Sequence, residues 1–190
     1  SDLELILHAP NSQFRVETVC RIAPQRNSKL MGLYRSQDGY FTQCEAEGFR
    51  RIAFFPDRPD VMAVYTVTLR ADKARYPVLL SNGNLVETAT LDNGRHLAKW
   101  HDPFPKPSYL FALVAGDLVA REQRIRTRSG KDHLLQVYVR QGDLEKTEHA
   151  MNSLIASVVW DEARFNLPLD LDDMVLPTPL EIISRDRIAA

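Results

Sequence analysis

The stretch "HLLQVYVRQGDLEKTEHAMNSLIASVVWDEARF", residues 133–165, contains the change of hydrophobic period that decides the fold. Residues 133–139 are typical of a β-strand that completes a hairpin. From Gly142 onward the period is helical, and Asp143 can cap a helix over residues 144–165. The apolar residues of that helix are Met151, Leu154, Ile155, Val158 and Val159. The sequence therefore predicts strands followed by one long amphipathic helix, which is the order expected where a different domain begins.

Upstream of this stretch, most of the chain alternates apolar and polar residues with period two, which is typical of strands. The predicted strands cover residues 3–9, 14–23, 41–47, 65–71, 76–81, 85–91, 95–101, 108–119 and 123–128, and residues 166–175 are one further candidate. Asn82-Gly83 is the strongest short hairpin signal, so we expect residues 76–81 and 85–91 to pair directly. "DNG" at 92–94 predicts a second turn. The predicted fold class is mainly β, an antiparallel sheet or sandwich followed by a helix.

The charge balance and the cysteine count limit the classes of partner and compartment. The 190 residues contain 24 Lys and Arg against 25 Asp and Glu, a net charge of -1 that argues against nucleic acid as a partner. Two cysteines, Cys20 and Cys44, are too few for a disulfide framework. No apolar run approaches the ~20 residues of a membrane span, and residues 1–10 lack the pattern of a signal peptide. We therefore expect a cytoplasmic protein.

The segment "FTQCEAEGFRR", residues 41–51, carries a polar pattern with chemical content. In an extended strand, Gln43, Glu45 and Glu47 would share one face, and Cys44 would be a buried thiol on the other. No basic residue on that face neutralises its negative charge. The face is therefore either an ordinary solvated surface or a site that binds a cation. Hydrogen bonds from an ammonium group to such acceptors are worth roughly 1.5–3 kcal/mol each. The residues alone leave both interpretations open.

The five histidines give no catalytic pattern. They are His8, His96, His101, His133 and His149. No two of them have the spacing of a zinc-binding helix with a Glu between them, so we expect each to be structural or solvated. A glycine-rich phosphate loop and a nucleophile elbow are also absent from the sequence. Residue spacing alone therefore predicts no catalytic or metal-binding site in this chain.

Long segments of the sequence resemble one enzyme family. The segments are "GLYRSQDGYFTQCEAEGFRRIAFFPDRPDVMAVYTVTLRADKARYPVLLSNGN", "NGRHLAKWHDPFPKPSYLFALVAGDL", "TRSGK" and "VVWDEARF". They closely resemble the amino-terminal β domain of the bacterial aminopeptidase N family, which are zinc metallo-aminopeptidases of the gluzincin class. The resemblance implies a saddle-shaped β domain over residues 1–142 that lacks its first strands. It also implies the entry into a thermolysin-like catalytic domain at 143–175 and a tail of unknown origin at 176–190.

The resemblance implies a function as well. By the family pattern, Gln43 and Glu45 bind the free amino terminus of a peptide, and Glu47 has at most a supporting role such as a structural salt bridge. The zinc ligands and the general base of the parent enzyme lie in motifs that this sequence lacks. We therefore expect a fragment that holds no cofactor and is inactive alone, although its parent enzyme contains zinc. The alternative is a free-standing β-sandwich that binds other molecules without catalysis, and a reading frame that continues into a zinc motif would decide against it.

The predicted helix at residues 144–165 lacks the cover that the missing catalytic domain would provide. Its apolar stripe either folds back on the sheet of the same chain or pairs with a second copy. We therefore expect self-association or an adhesive surface.

Overall fold

The computed structural model describes residue 8, residues 13–37, residues 39–169 and the backbone of residues 173–177. Within these ranges the chain forms ten β-strands, one α-helix and four short 3-10 helices. The strands are β1 (Gly32–Ser36), β2 (Gly39–Gln43), β3 (Ala63–Asp72), β4 (Val78–Ser81), β5 (Asn84–Thr90), β6 (Arg95–Lys106), β7 (Leu113–Gly116), β8 (Leu118–Arg126), β9 (Asp132–Arg140) and β10 (Asp173–Pro177). The helix α1 is Glu148–Phe165, and the 3-10 helices are Pro24–Arg26, Phe49–Arg51, Ser108–Leu110 and Leu144–Thr147.

The first sheet is antiparallel and has the strand order β1-β2-β7-β4. Its strand β7 comes from the strongly apolar residues 108–119, but it is shorter than predicted because Ser108–Leu110 turns into a 3-10 helix first. Phe41 of β2, Leu80 of β4 and Val114 of β7 pack in one buried core. This core holds β2 firmly in place, and the candidate site begins at the end of β2.

The second sheet has the order β3-β6-β5, with the long strand β6 in the centre. The predicted turn at 92–94 is confirmed, because β5 returns into β6 through Asn93 and Gly94, whose φ angles are 59° and 72°. Trp100 of β6 is buried against the first sheet, and its Nε1 donates a hydrogen bond to the carbonyl oxygen of Leu79 at 3.0 Å. The first two sheets therefore share one core.

The dipeptide Asn82-Gly83 connects two sheets and does not form a hairpin. β4 pairs with β7 in the first sheet and β5 pairs with β6 in the second, so the predicted direct pairing of these two strands is wrong. The Asn82 side chain explains the difference. Its Nδ2 donates to the carbonyl oxygen of Leu110 at 3.1 Å, and its Oδ1 accepts from the backbone N of Ala112 at 2.6 Å. These bonds direct the chain from one sheet to the other.

Replacing Gly83 by Ala is expected to destabilise the domain by about 2–4 kcal/mol. A Cβ at Gly83 would lie 2.5 Å from the Cα of Asp102, and the φ of +85° is unfavourable for alanine. Gly94→Ala is the matched control, because Gly94 also has a positive φ but no atom within 4 Å of the added Cβ. It should cost only about 1 kcal/mol. Urea unfolding of both variants measures the difference, and equal losses would contradict the importance of the close backbone approach.

The third sheet has the order β10-β9-β8, and α1 packs on it. β8 and β9 form the predicted antiparallel hairpin, and β10, which follows the helix, pairs with β9 in parallel. A parallel pair requires a crossover connection, which α1 supplies as a β-α-β unit. Leu135 and Val137 of β9 are fully buried in the same core as Met151 of α1. The predicted domain boundary after residue 142 stays a prediction, and α1 shares its core with the strands before it.

The predicted apolar stripe of the helix mostly faces the sheet of the same chain. Met151 and Val158 are buried, Leu154 and Ile155 are half-buried, and Val159 is exposed. Folding back on the chain's own sheet is thus the arrangement that the structure adopts for most of the stripe. Self-association stays a prediction.

The start of the helix differs from the prediction. Leu144–Thr147 forms a 3-10 helix, and α1 begins only at Glu148. Asp143 makes no capping hydrogen bond with its side chain, and its Oδ1 instead pairs with Lys146 Nζ at 2.6 Å. Within the described ranges, no helix combines the length and the apolar character that a membrane crossing needs.

The amino-terminal segment departs from its predicted strands. Residues 14–23 form no strand, and Phe14, Val16 and Val19 are exposed, so the prediction for this segment is wrong. A strand needs a neighbour for its backbone hydrogen bonds, and no strand of the described part pairs with these residues. The predicted strand at 3–9, except for His8, and the tail beyond residue 177 lie outside the described residues.

Candidate functional site

The end of strand β2 determines where the predicted acceptor residues lie. The ladder between β1 and β2 ends at the pair Gly32 and Gln43. On the other side, the backbone N of Leu113 donates to Thr42 Oγ1 at 2.8 Å, so a side chain replaces the backbone acceptor there. β2 consequently ends at Gln43, and the prediction of one extended strand over residues 41–47 is wrong. The three acceptor residues do not share a strand face.

Residues 44–48 form a tight loop directly after β2, which we call the 44–48 loop. The backbone N of Gly48 donates to the carbonyl oxygen of Cys44 at 2.7 Å and closes it. A Cβ on Gly48 would lie 2.8 Å from the Cα of Cys44 and would clash with the carbonyl oxygen of Gln43. Only glycine fits at this position, so the sequence itself specifies the loop.

Gln43 and Glu45 lie next to each other at the start of the loop. Gln43 is half-buried, and its Nε2 donates to the backbone carbonyl oxygen of Glu45 at 3.2 Å, so its Oε1 is a further potential acceptor. Glu45 is exposed, and its carboxylate forms no hydrogen bond or ion pair with any residue of the described ranges. The Glu45–Ala46 peptide bond is cis. The Glu45 carboxylate is exposed and uncompensated, and the half-buried Gln43 lies beside it.

Glu47 has a basic partner, contrary to the expectation of an unbalanced acidic face. Its Oε1 lies 3.3 Å from Arg50 Nη2, in an ion pair between two exposed side chains. Such a pair is worth at most about 1 kcal/mol. The carboxylate of Glu47 is thus engaged in an ion pair, and its supporting role in the site stays a prediction.

The side chain of Cys44, the first residue of the 44–48 loop, packs in a cluster of aromatic rings. Cys44 is buried, as predicted, against Phe49, Tyr65 and Phe111. The rings of Phe49 and Phe111 are 5.0 Å apart in an edge-to-face arrangement. Burial, together with the negative charge of Asp57 nearby, raises the pKa of the Cys44 thiol to about 12. Cys44 is therefore a neutral packing residue and not a nucleophile.

Asp57 is a buried carboxylate beneath the loop that sequence reasoning missed. Its Oδ2 accepts from the backbone N of Arg50 at 2.9 Å and from Arg50 Nε at 3.2 Å, and its Oδ1 accepts from the Ser108 hydroxyl. Burial alone would raise the pKa of Asp57, but the hydrogen bonds from Ser108 and Arg50 outweigh it and lower that pKa below its usual range. Asp57 lies between Pro56 and Pro59 in a segment without strand periodicity, so nothing in the sequence pattern indicated a buried ion.

The histidines do not gather into a site. His96 Nε2 hydrogen-bonds the carbonyl oxygen of Tyr76 at 2.7 Å, and His101 Nδ1 hydrogen-bonds Thr66 Oγ1 at 2.9 Å. His133 is fully buried, whereas His8 and His149 are exposed. No group of three or more His, Cys, Asp or Glu residues in the described ranges is arranged to hold a metal ion.

The family model of the peptidase M1 N-terminal domain matches residues 4–110, which is more than half of the chain and includes β2 and the 44–48 loop. The chain belongs to the peptidase M1 N-terminal domain family. This confirms the family resemblance seen in the sequence.

The named relatives of this M1 N-terminal domain include aminopeptidases. Aminopeptidase N of Haemophilus influenzae is 51% identical over 160 residues, 84% of this chain and 18% of that protein. Aminopeptidase N of Escherichia coli is 50% identical over 168 residues, 88% of this chain and 19% of that protein. The crystal structure of Legionella pneumophila aminopeptidase A in complex with aspartic acid superposes with a TM-score of 0.75 and 41% identity, covering 78% of this chain and 17% of that one. The mainly β fold is thereby confirmed, and the chain spans less than a fifth of the length of these relatives.

Proposed function

We propose that this domain anchors the free amino terminus of a peptide in a zinc aminopeptidase, through the amide oxygen of Gln43 and the carboxylate of Glu45. The observation that carries the proposal is the exposed Glu45 carboxylate, which has no partner within the described ranges and stands beside Gln43 on a closed loop. A peptide ammonium group has three donors and one positive charge, and these two acceptors match part of that requirement. The names of the relatives, aminopeptidase N and aminopeptidase A, agree with a ligand that carries a free amino group.

In such an enzyme the domain would set the register of the substrate. Fixing the ammonium group fixes the distance to the first peptide bond, so that this bond and no later one reaches the catalytic groups. Binding at Glu45 would then separate an aminopeptidase from a peptidase that cuts inside chains. The chemical step itself requires other residues, and we assign none of its groups to this chain.

Zinc does not fit the described residues of this domain. Tetrahedral zinc sites use three or four Cys, His or carboxylate ligands, and no such group is assembled in the described part of the chain. The 44–48 loop offers Glu45 as its one uncompensated carboxylate, which is too few. The role that we propose for the described residues is accordingly in binding the substrate, and we assign no zinc ligand to them.

A titration with leucinamide followed by NMR of the isotopically labelled chain tests this proposal. We expect the backbone amide signals of Gln43 and Glu45 to shift and to saturate with a Kd on the order of 1–10 mM, because only a few charge-assisted hydrogen bonds hold the ligand. N-acetyl-leucinamide, which has the same side chain but no ammonium group, should leave these signals in place. Glu45→Gln should weaken leucinamide binding at least about threefold.

Two results would contradict the proposal. The first is that leucinamide leaves the Gln43 and Glu45 signals unchanged up to about 100 mM, well above the expected Kd. The second is that N-acetyl-leucinamide shifts them equally, since the contact would then not recognise the amino group.

A further inference from the structure

The side chain of Arg50 joins the 44–48 loop to the buried carboxylate beneath it. Its Nη2 lies 3.3 Å from Glu47 Oε1 and donates to the carbonyl oxygen of Asp57 at 2.7 Å. Its Nε donates to Asp57 Oδ2 at 3.2 Å. One planar guanidinium group therefore contacts both Glu47 and Asp57, in a geometry that its rigid fork of donors defines.

Asp57 is the buried partner that fixes the position of the Arg50 side chain. Its side chain is only 3% exposed, and it accepts hydrogen bonds from the Arg50 backbone, the Arg50 side chain and the Ser108 hydroxyl. Ser108 is itself buried, in the 3-10 helix that precedes β7. A buried carboxylate with this many donors is costly to displace, because any movement leaves a charge without partners. The hydrogen bonds to Asp57 thus fix the position of the Arg50 side chain, and the ion pair with Glu47 connects that side chain to the loop.

The two glutamates of the loop differ in whether their carboxylates are paired. Glu47 is drawn toward Arg50, whereas the carboxylate of Glu45 has no partner within the described ranges. We propose that Arg50 and Asp57 are positioning residues that keep the 44–48 loop closed and hold Glu47 aside. An ammonium group then meets Glu45 and Gln43 in a fixed arrangement. The inference rests on the proposed function, since it names residues that act through the same loop.

Arg50→Lys tests the inference in this chain. Lysine keeps the positive charge beside Asp57, but a single ammonium group cannot reproduce the contacts to both carboxylates. We expect hydrogen exchange of the Gly48 amide, which closes the loop, to accelerate about tenfold, and the leucinamide Kd to rise about three- to tenfold. Exchange of the Val137 amide in the third sheet should stay unchanged, because that core is separate.

Arg58→Lys is the matched control. Arg58 binds Asp60 with two hydrogen bonds, at 3.0 and 2.5 Å, but both side chains are exposed and neither bonds to the 44–48 loop. It should change neither Gly48 exchange nor leucinamide affinity. A change equal to that of Arg50→Lys would overturn the inference, since any arginine of this region would then have the same effect.

The remaining outcomes also decide the question. Unchanged Gly48 exchange in Arg50→Lys overturns the inference, and so does faster exchange with an unchanged leucinamide Kd. If Val137 exchange also accelerates in Arg50→Lys, that variant has lost stability as a whole. Glu47→Gln is then the test, because it removes only the ion pair between Glu47 and Arg50 and leaves the bonds of Arg50 to Asp57 intact. Glu47→Gln should accelerate Gly48 exchange about threefold, and no acceleration overturns the inference. If leucinamide does not bind the unchanged chain, the proposed function fails, while Gly48 exchange still reports on the contact of Arg50 with the loop.

Discussion

Replacing Glu45 by Ala is expected to lower kcat/KM for a substrate with a free amino terminus by roughly 10- to 4,000-fold, in an enzyme that joins this domain to the catalytic region of the Haemophilus influenzae aminopeptidase N. The reason is the loss of one or two charge-assisted hydrogen bonds to the ammonium group, about 1.5–5 kcal/mol of transition-state stabilisation. Steady-state kinetics with an aminoacyl chromogenic substrate measure the loss. The joined enzyme with Glu45 intact must be active for the comparison to count.

Two neighbouring substitutions serve as controls for that result. Gln43→Ala should cost less than Glu45→Ala, because a neutral amide oxygen makes the weaker bond to an ammonium group. Glu47→Ala should cost least, since its carboxylate already contacts Arg50. Amino-terminally blocked substrates should be poor, and Glu45→Ala should narrow the difference between free and blocked substrates. If that ratio of kcat/KM values stayed the same in a folded variant, the assignment of Glu45 to the amino terminus would be wrong.

Leu135→Ala is expected to destabilise the third sheet and its helix by about 2–5 kcal/mol. Leu135 is fully buried between β9 and α1, where Met151 is also almost completely buried. Truncation there removes apolar contacts and leaves a cavity that the surrounding side chains fill only in part. Denaturant unfolding followed by far-UV circular dichroism gives the change in the free energy of unfolding.

Val159→Ala is the control for this second prediction. Val159 lies on the same helix but is 58% exposed, so its truncation should change the free energy of unfolding by less than about 0.5 kcal/mol. If both variants lost the same free energy, the core between β9 and α1 would not be what holds the helix in place.

Most of the fold could be predicted because the strands show their own periodicity. The alternation in residues 65–71 predicts β3, the turn at 92–94 predicts the β5–β6 hairpin, and the helical period from Gly142 onward predicts the helix. Pairing between strands was harder to predict. The sequence of Asn82-Gly83 fits a hairpin turn as well as it fits a connection between two sheets. The hydrogen bonds of Asn82 to residues far along the chain favour the connection between sheets. Local propensity carries no information about such distant partners.

The sequence suggests which residues form the candidate site, but it does not predict the shape of the loop that carries them. Gln43 and Glu45 were selected by their family pattern, and Cys44 was correctly expected to be buried. The extended strand was the wrong geometry because a close backbone approach at Gly48 bends the chain. Asp57 and Ser108 were missed, since a polar residue that is buried by contacts from distant segments looks like any loop residue in the sequence.

The bond between Thr42 and Leu113 has a consequence for the order in which the molecule folds. These residues are 71 positions apart, whereas Arg126 and Asp132 at the tip of the β8–β9 hairpin are only six apart. Closing a long loop costs more chain entropy than closing a short one, so contacts within the hairpin and its following helix can form early. The pairing of β2 with β7 must wait for the distant segment to arrive. Because the 44–48 loop begins where that pairing ends, we expect the loop and the proposed binding groups Gln43 and Glu45 to become ordered after the β8–β9 hairpin.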